Sequence, residues 1–450
     1  MKKIIIALGL FLTGIIAFAQ PKNDLSLDPQ KAEWFKEAKF GMFVHWGLYS
    51  ILEGSYNGHT LPDPSLKQGK SWYAEWIQMR LEVPDNEYQS LVKDFNPVNF
   101  DANQWISEAK NAGVRYFVIT AKHHDGFALW KSNVSDFNIT RTPYKKDIIA
   151  ELVKACKKHG IKYGFYYSHW QDWEYPGGAL PSWKTKRTDE EFENYWQNKC
   201  LPQVKELLVK FDPDLLWFDT WNEENHITSQ RRDELIALVR KNSTKCLING
   251  RISFLDPGDH IDFLEMHDNS YPDKILEKPW QTPATMVNSW GWHAKDYNWK
   301  SSSEMLGYLS NNASKGGNYL LNIGPKPDGT FPLPAIRRLQ EIGAWILVNG
   351  EAIYDTRPVK KEVEKGIYLT QKKSEGKDNL YVLLSRSMEN VDLLIDVSMI
   401  HECRVLESGM PVEFSGSEGK TRISIPQKLF RDCSVQVIKI TSKTALDQGW

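Results

Sequence analysis

The sequence lacks an excess of charge of either sign. Its 56 Lys and Arg residues nearly balance its 57 Asp and Glu residues, which leaves a net charge of -1 at pH 7. A chain without a global field has no electrostatic means of attracting nucleic acid or acidic partners. We therefore predict a neutral partner and no nucleic acid.

Cysteine is scarce, and neither a CxxC nor an HExxH motif is present. Five cysteines leave at least one unpaired, which excludes a disulfide scaffold, and metal or redox chemistry has no motif to support it. Cys403 and Cys433 are near enough in sequence to form a disulfide within the C-terminal region, and their pairing stays open.

Long apolar runs are also absent after the N-terminus, so no membrane span is expected. At the N-terminus, Lys2 and Lys3 precede an apolar run over residues 4–19, and Ala17-Phe18-Ala19 has the small residues of a cleavage site. A lipid anchor would need a cysteine at the cleavage site, and none is present there. We predict a signal peptide over residues 1–19 and a periplasmic or secreted protein, with an uncleaved anchor as the alternative.

Aromatic residues, by contrast, are abundant. The chain has 18 Trp, 18 Tyr and 19 Phe, which together make up 12% of its residues. Flat aromatic faces suit the C–H faces of sugar rings, although large cores and protein interfaces use them too.

Short apolar runs alternate with amphipathic segments from residue 30 to about 350, as in a parallel sheet whose strands and helices take turns. The strand-like runs are residues 40–45, 116–121, 162–168, 214–219, 246–249, 261–265, 285–290 and 318–323. Helical patterns over residues 103–112, 147–159, 190–209 and 229–239 separate several of them. Eight such runs predict a (β/α)8-like barrel as the catalytic domain, over residues 20–350.

The pattern changes after Gly350. Residues 360–442 show near-alternating runs separated by Gly, Ser, Asn and Lys, which is typical of antiparallel sheets. We predict a C-terminal antiparallel β-sandwich domain over residues 351–450.

Polar and aromatic side chains occupy the end of every predicted barrel strand, where chemistry in this fold is located. In strand order they are His45-Trp46; Lys122, His123, His124 and Asp125; Tyr166, Tyr167 and His169; Trp217 and Asp219; Asn249 and Arg251; Glu265 and His267; Asn288 and Trp290; and Asn322. Each one alone is more often a structural residue, but all eight ends carry groups that can bind a sugar.

The histidines do not require a metal. His123 and His124 are adjacent, so on an extended segment their side chains point to opposite faces. Neutral imidazoles that donate to and accept from sugar hydroxyls explain them without an ion. We predict no metal.

Two carboxyl groups would be needed for glycoside hydrolysis, one ionised and one protonated. Asp219 ends a central strand near Arg251, which could keep it ionised, although a helix N-cap is the simpler interpretation of an Asp at such a position. Glu265 ends the strand two positions onward. Asp125, Glu75 and Glu277 remain competitors for the second role.

Several segments together resemble the α-L-fucosidases of glycoside hydrolase family 29. They are FGMFVHWGLYS (40–50), SWYAEWIQMR (71–80), AKHHDGFALW (121–130), YYSHWQDW (166–173), LLWFDTW (215–221), GGNYLLNIGPKPDG (316–329) and GEAIYDTRP (350–358). The resemblance covers nearly the whole mature chain. It implies a barrel with a C-terminal β-sandwich, no cofactor, and retaining hydrolysis of terminal α-L-fucosyl residues from oligosaccharides or glycoconjugates.

The resemblance also implies roles for single residues. Asp219 matches the nucleophile of the family. Trp290 matches an aromatic residue that packs on the fucose methyl group, and Arg251 matches an arginine near the nucleophile. The tyrosine of the YYS motif is Tyr166 or Tyr167, of which we assign Tyr167. The predicted substrate-binding set is His45, Trp46, Glu75, Trp76, His123, His124, Tyr167, Trp217, Arg251 and Trp290.

The acid/base position departs from the family. Many members have a Glu in a WET-like motif, but here the segment reads PWQTPATMVNSWGW and the position holds Gln281, whose amide cannot protonate a leaving group. In other members the acid/base lies in a segment resembling DFLEMHDNSYP, which points to Glu265. Glu277 and Glu75 are the next candidates. The alternatives are an exo-glycosidase for a related sugar such as α-L-galactose, and a non-catalytic carbohydrate-binding homologue. Linkage specificity and oligomeric state stay open.

Overall fold

The computed structural model describes residues 25, 27–221, 226–374, 376–417, 419–426, 435–446 and 449–450. The predicted signal peptide and Cys433, whose pairing with Cys403 the sequence leaves open, lie outside these residues. Within them, no helix has the length and apolar character needed to cross a membrane.

Eight parallel strands form the N-terminal sheet. They are β1 Phe40–Val44, β2 Tyr116–Lys122, β3 Lys162–Tyr167, β4 Leu215–Trp217, β5 Leu247–Ile248, β6 Leu264–Glu265, β7 Trp280–Thr285 and β8 Asn318–Ile323. Their order in the sheet is β5-β4-β3-β2-β1-β8-β7-β6. A parallel bridge between Asn249 and Phe263, with Asp262 N–H donating to Ile248 O at 2.9 Å, joins β5 to β6 and closes the barrel. The predicted barrel fold is confirmed.

Helices connect the strands and cover the barrel. They are α1 Glu33–Ala38, α2 Tyr49–Leu52, α3 Ile77–Arg80, α4 Asp85–Ser90, α5 Ala102–Asn111, α6 Ile148–His159, α7 Asp189–Tyr195, α8 Leu201–Phe211, α9 Ser229–Asn242, α10 Ser302–Ser314 and α11 Leu333–Asn349. A π-helical turn, Trp196–Cys200, links α7 to α8.

Local sequence sets the helix ends. At α6 the Asp147 carboxylate accepts from Ala150 N–H, and Gly160 adopts the left-handed conformation (φ 70°) that ends the helix. At α7 Thr188 and Glu191 form a reciprocal capping box. These caps fix where each helix begins, and so where the preceding loop leaves the barrel.

The seventh strand was predicted wrongly. It runs over Trp280–Thr285, whereas the prediction placed it at residues 285–290, so Asn288 and Trp290 lie in the loop beyond it. Its first residues include Gln281 and Pro283, which do not form an apolar run. They are tolerated because Gln281 points into the barrel, where Tyr116 and Glu265 satisfy its amide.

A buried ion cluster anchors the loop after β3. The Asp172 carboxylate accepts from Lys122 Nζ at 2.7 Å and Lys199 Nζ at 3.1 Å, and all three side chains are fully buried. Burial raises the pKa of Asp172, but the two ammonium groups outweigh it and the net pKa is lowered. One paired carboxylate thus fixes a rim loop to both β2 and the helical wall.

The C-terminal strands form two antiparallel sheets. They are β9 Arg357–Pro358, β10 Ile367–Ser374, β11 Lys377–Leu384, β12 Asn390–Leu393, β13 Ile400–Val405, β14 Phe414–Ser417, β15 Lys420–Ser424 and β16 Gln436–Ser442. The larger sheet has the order β9-β10-β11-β16-β13 and the smaller β12-β15-β14. Val382 and Ile440 of one sheet and Val391 and Ile423 of the other share one apolar core. The predicted β-sandwich is confirmed.

The last barrel helix packs against this sandwich. In α11 the Trp345 indole N–H donates to Val435 O at 2.6 Å, and in β10 the Thr370 hydroxyl donates to Ala352 O at 2.6 Å. Leu383 and Val437 of the larger sheet belong to the same apolar cluster as the barrel helices. The two parts therefore share a continuous buried interface.

Candidate active site

A cavity of about 610 Å³ opens at the carboxyl ends of the barrel strands. Ten of the residues assigned from the sequence line it, from six strand ends and the segment after β1: His45, Glu75, Trp76, His123, His124, Trp217, Asp219, Arg251, Glu265 and Trp290. The mouth of a (β/α)8 barrel is where the loops of several strands converge, so this location fits an active site.

Asp219 follows β4 by two residues and is 9% exposed. Tyr166 donates its hydroxyl to Asp219 Oδ2 at 2.9 Å, and Arg251 Nη1 donates to Oδ1 at 3.1 Å. Burial raises the pKa of this carboxyl, whereas Arg251 and Tyr166 lower it and limit the rise. The helix-cap interpretation of Asp219 does not apply, because both oxygens have side-chain partners within the cavity.

The chain on both sides of Asp219 is fixed by β5. The Asn249 amide accepts from Phe218 N–H at 2.8 Å and donates to Phe218 O at 2.9 Å. On the other side, Thr220 N–H donates to Arg251 O at 2.9 Å. The carboxylate is therefore held between two anchored residues rather than on a free loop.

Glu265 ends β6 beside Gln281 of β7. Its Oε1 accepts from Gln281 Nε2 at 2.6 Å and has a longer contact with Asn249 Nδ2 at 3.5 Å, whereas Oε2 is buried without a partner among the described residues. Burial raises the pKa of Glu265 well above its ordinary value, against the opposing charge of Arg251. Of the two carboxyls, Glu265 is thus the one whose surroundings favour the protonated form more strongly.

The amides also determine which oxygen carries that proton. Tyr116 donates to Gln281 Oε1 at 2.6 Å, so the other end of that amide, Nε2, must be the end that donates to Glu265. An oxygen that accepts such a bond is the carbonyl oxygen of a protonated carboxyl. In its protonated form, Glu265 therefore carries the proton on Oε2.

Burial favours the neutral form of His45, His123 and His124. Burial lowers the pKa of His45 to about 4 and those of His123 and His124 well below their ordinary value. Asn322 Nδ2 donates to Trp290 O at 2.7 Å, so its Oδ1 accepts from His45 Nδ1 at 2.7 Å. His45 Nε2 is then a free acceptor, which suits a sugar hydroxyl.

His124 has the same tautomer. Ser168 donates its hydroxyl to Gln171 O at 2.9 Å, so its oxygen accepts from His124 Nδ1 at 2.7 Å. Among the described residues no group of three His, Cys, Asp or Glu side chains is arranged to hold a metal ion.

Glu75 is a third buried carboxyl of the cavity. Its Oε2 accepts from Gly291 N–H at 2.9 Å, and burial raises its pKa to about 7. It lies on the turn before α3, next to Trp76. Burial and protonation alone thus do not separate it from Glu265, but Glu265 interacts electrostatically with both Asp219 and Arg251.

Two residues of the predicted substrate-binding set lie elsewhere. Tyr167 is buried in the barrel wall, where its hydroxyl donates to Gln203 Oε1 at 2.9 Å, and its neighbour Tyr166 faces the cavity. Trp46 packs among core aromatics and donates its indole N–H to Lys326 O at 3.2 Å. Both assignments are corrected: Tyr166 and Tyr167 are adjacent within β3 and point to opposite faces, and Trp46 is held in the core by its indole hydrogen bond.

Two competitors for the second carboxyl are also outside the cavity. Glu277 is exposed and precedes β7, at the amino end of the barrel. Asp125 is buried and accepts from the Tyr88 hydroxyl at 2.8 Å. Neither residue lines the cavity.

Sequence reasoning missed several residues that do line the cavity. Asp268, in the loop after β6, accepts from Arg251 Nη2 at 2.7 Å. Arg80 in α3 and Trp183 in the loop after β3 contribute to the outer wall. Trp183 is 16 positions beyond the end of its strand, so the rule of inspecting strand ends could not find it. Of these residues, Asp268 alone had a signal in the sequence, because it is a carboxylate three residues after Glu265.

A barrel whose mouth holds one carboxyl paired with an arginine and a second carboxyl held by an amide, with aromatic and neutral polar walls, has the arrangement of a glycoside hydrolase. The Alpha-L-fucosidase family model matches residues 18–351. The human plasma alpha-L-fucosidase is 30% identical over 381 residues, 78% of this chain and 76% of that protein. The chain therefore belongs to the alpha-L-fucosidase family.

Solved structures agree. The alpha-L-fucosidase from Vibrio sp. strain EJY3 matches with a TM-score of 0.83 at 32% identity, over 94% of this chain and 74% of that one. A family 29 alpha-L-fucosidase from Bacteroides thetaiotaomicron matches with a TM-score of 0.81 at 26% identity, over 92% and 96%. A further structure from the same organism, with a TM-score of 0.82 at 26% identity over 92% and 97%, is a trapped covalent intermediate with a 2-fluoro-fucosyl fluoride.

The two adjacent tyrosines provide a matched test of the site. Tyr166→Phe removes a hydrogen bond to the Asp219 carboxylate, and such bonds contribute about 1.5–3 kcal/mol, so kcat/KM on an aryl α-L-fucoside should fall roughly tenfold to a hundredfold. Tyr167→Phe removes only a core hydrogen bond. It should leave kcat/KM within about twofold and lower the free energy of unfolding by about 1 kcal/mol. The reverse pattern would place Tyr167 in the site.

Proposed function

We propose that Asp219 and Glu265 carry the two steps of a retaining, exo-acting hydrolysis of terminal α-L-fucosyl residues. The observation that supports this most directly is the difference in their surroundings. Arg251 and Tyr166 donate to Asp219 and favour its ionised form, whereas burial favours the protonated form of Glu265 in the same cavity. A nucleophile and a general acid need these opposite states at the same pH.

In the first step, a carboxylate oxygen of Asp219 attacks the anomeric carbon of the fucosyl residue. The bond from that carbon to the leaving oxygen breaks as Glu265 Oε2 gives its proton to that oxygen. The products are a covalent fucosyl ester of Asp219, an ionised Glu265 and the free leaving group.

In the second step, Glu265 takes a proton from a water molecule, whose oxygen attacks the anomeric carbon from the opposite side to Asp219. The ester bond breaks, Asp219 regains its charge and Glu265 its proton. Two inversions give net retention. Gln281 Nε2 and Arg251 stabilise the Glu265 carboxylate that exists between the steps.

The neutral walls would hold the sugar. His45 Nε2 and His124 Nε2 can accept hydrogen bonds from its hydroxyls, because Asn322 and Ser168 fix the tautomers of the two rings through their Nδ1 atoms. The Trp290 ring lies 5.0 Å from the His45 ring and presents an apolar surface at the same point. We assign this surface to the fucose methyl group, which has no hydrogen bond to offer.

Azide distinguishes the two carboxyl roles. Asp219→Ala should lower kcat by about three orders of magnitude or more and, with azide, give β-L-fucosyl azide by a single inversion. Glu265→Ala should keep glycosylation by an activated aryl α-L-fucoside and, with azide, give α-L-fucosyl azide. Product stereochemistry is read by NMR.

Glu75→Ala and Asp268→Ala serve as controls in the same assay. If one of these gives the α-azide and Glu265→Ala does not, the acid/base role moves to that residue. If Asp219→Ala keeps turnover within about tenfold of the parent, its assignment as the nucleophile is wrong.

Arg251 should set the position of the pH profile. Its charge lowers the pKa of both Asp219 and Glu265, so Arg251→Met should raise both values. Activity is lost as pH falls through the pKa of the nucleophile and as it rises through that of the acid. Both limbs of the kcat/KM profile should therefore move to higher pH.

The matched control for this experiment is Arg422→Met. Arg422 donates to Asp392 at 2.7 Å in the smaller C-terminal sheet, far from the cavity. Arg422→Met should leave both limbs of the kcat/KM profile at the same pH as in the parent. A profile in which Arg251→Met shifts only one limb would show that one of the two carboxyls is not governed by Arg251.

We further propose that the protein is bacterial and exported. Two lysines, an apolar run and Ala17-Phe18-Ala19 support cleavage after Ala19. Expression with the native N-terminus in a Gram-negative host should give periplasmic protein that begins at Gln20 by intact mass. Recovery of the full-length chain in the membrane fraction would favour the uncleaved anchor.

A further inference from the structure

The cavity has more room than one deoxy sugar needs. A deoxyhexose has eleven non-hydrogen atoms, and at no more than the roughly 30 Å³ that a water molecule takes in the liquid it fills about half of the 610 Å³. The cavity is also lined by aromatic residues that the mechanism does not use, among them Trp76 and Trp183. The arrangement of these residues shows what else the cavity can hold.

The rings form a series that leads away from Asp219. His124 Nε2 is 4.0 Å from Asp219 Oδ2, the His124 ring centroid is 4.9 Å from that of Trp76, and Trp76 is 5.8 Å from Trp183. Trp183 thus contacts the site through Trp76 and has no ring contact with the histidines. All of these side chains line the same cavity.

Arg80 lies over this outer aromatic wall. Its guanidinium carbon is 5.5 Å from the Trp76 ring and 5.8 Å from the Trp183 ring. Its Nη1 donates to Gln68 O at 3.0 Å. No carboxylate forms an ion pair with it among the described residues.

Two donors of this wall are left without a partner. Arg80 Nε and Trp183 Nε1 are both buried, and neither has a hydrogen-bond acceptor in the described part of the chain. A buried donor without an acceptor costs about 1–3 kcal/mol, so such groups usually have an explanation. An acceptor oxygen on a bound molecule would satisfy such a donor.

We propose that Arg80 and Trp183 form a subsite for a second pyranose ring, the sugar that leaves when the fucosyl bond is cut. This rests on the proposed function, since it places that ring on the outward side of the bond. The Trp183 face would pack on the C–H face of the ring, and a ring hydroxyl or acetamido oxygen would accept from Arg80 Nε. A purely apolar leaving group could fill the volume but would leave Arg80 Nε unsatisfied.

The test compares substrates with and without a leaving ring. Trp183→Ala and Arg80→Met are assayed on α-L-fucosyl fluoride, whose leaving group has no ring, and on a panel of α-L-fucosyl hexoses and N-acetylhexosamines that covers the 2-, 3-, 4- and 6-linkages. For the best disaccharide, each variant should lower kcat/KM about tenfold or more. For the fluoride, the change should stay within about twofold.

Trp299→Ala is the matched control. Trp299 is also partly buried with an arginine over its ring, Arg338 at 5.3 Å, but it does not line the cavity. This variant should leave both activities unchanged. Trp183→Phe, which keeps a flat ring but not the indole N–H, should lose less on disaccharides than Trp183→Ala.

The outcomes separate the two proposals. If the parent enzyme does not hydrolyse α-L-fucosyl fluoride, the proposed function is wrong. If it hydrolyses the fluoride but no disaccharide of the panel, or if Trp183→Ala and Arg80→Met lower both activities equally or neither, the second-ring subsite is wrong. Thermal unfolding of each variant, compared with the parent, shows that a loss confined to disaccharides is not a loss of folded protein.

Discussion

The site depends on the burial of two carboxyl groups beside one arginine. Taking an ionised carboxylate out of water is costly, and without compensation the group neutralises. Arg251 compensates at Asp219, where it donates directly, and less at Glu265, whose hydrogen bond comes from an amide. A single cation placed closer to one carboxyl than to the other is therefore enough to separate their charge states.

The barrel provides that asymmetry through its strand ends. Asp219 and Arg251 follow neighbouring strands and are tied together by Thr220 N–H and Arg251 O. Glu265 follows the next strand but reaches toward β7 and Gln281. An amide at position 281 cannot act as an acid, yet here it has a structural use: it joins Tyr116 to Glu265 and leaves one oxygen of that carboxyl for the proton.

The sequence predicted residues that follow a strand directly, because the carboxyl ends of parallel strands converge on one rim. His45, His123 and Arg251 are examples. The prediction failed where a residue's place depends on which face of the strand its side chain occupies, as for Tyr167. Alternation separates Tyr166 from Tyr167 within β3, but it does not hold beyond the strand ends. His123 and His124 were expected on opposite faces, yet both line the cavity, with ring centroids 4.1 Å apart. The prediction also failed for Arg80 and Trp183, which reach the cavity from connecting segments whose path depends on tertiary contacts that leave no local pattern.

The neutral histidines have a consequence for recognition. Their rings are fixed as uncharged acceptors by Asn322 and Ser168, so the groups that meet a neutral sugar carry no net charge. Ionic screening acts on charges and hardly on such dipoles. The contribution of these two histidines to the binding of a neutral monosaccharide should consequently depend little on salt concentration.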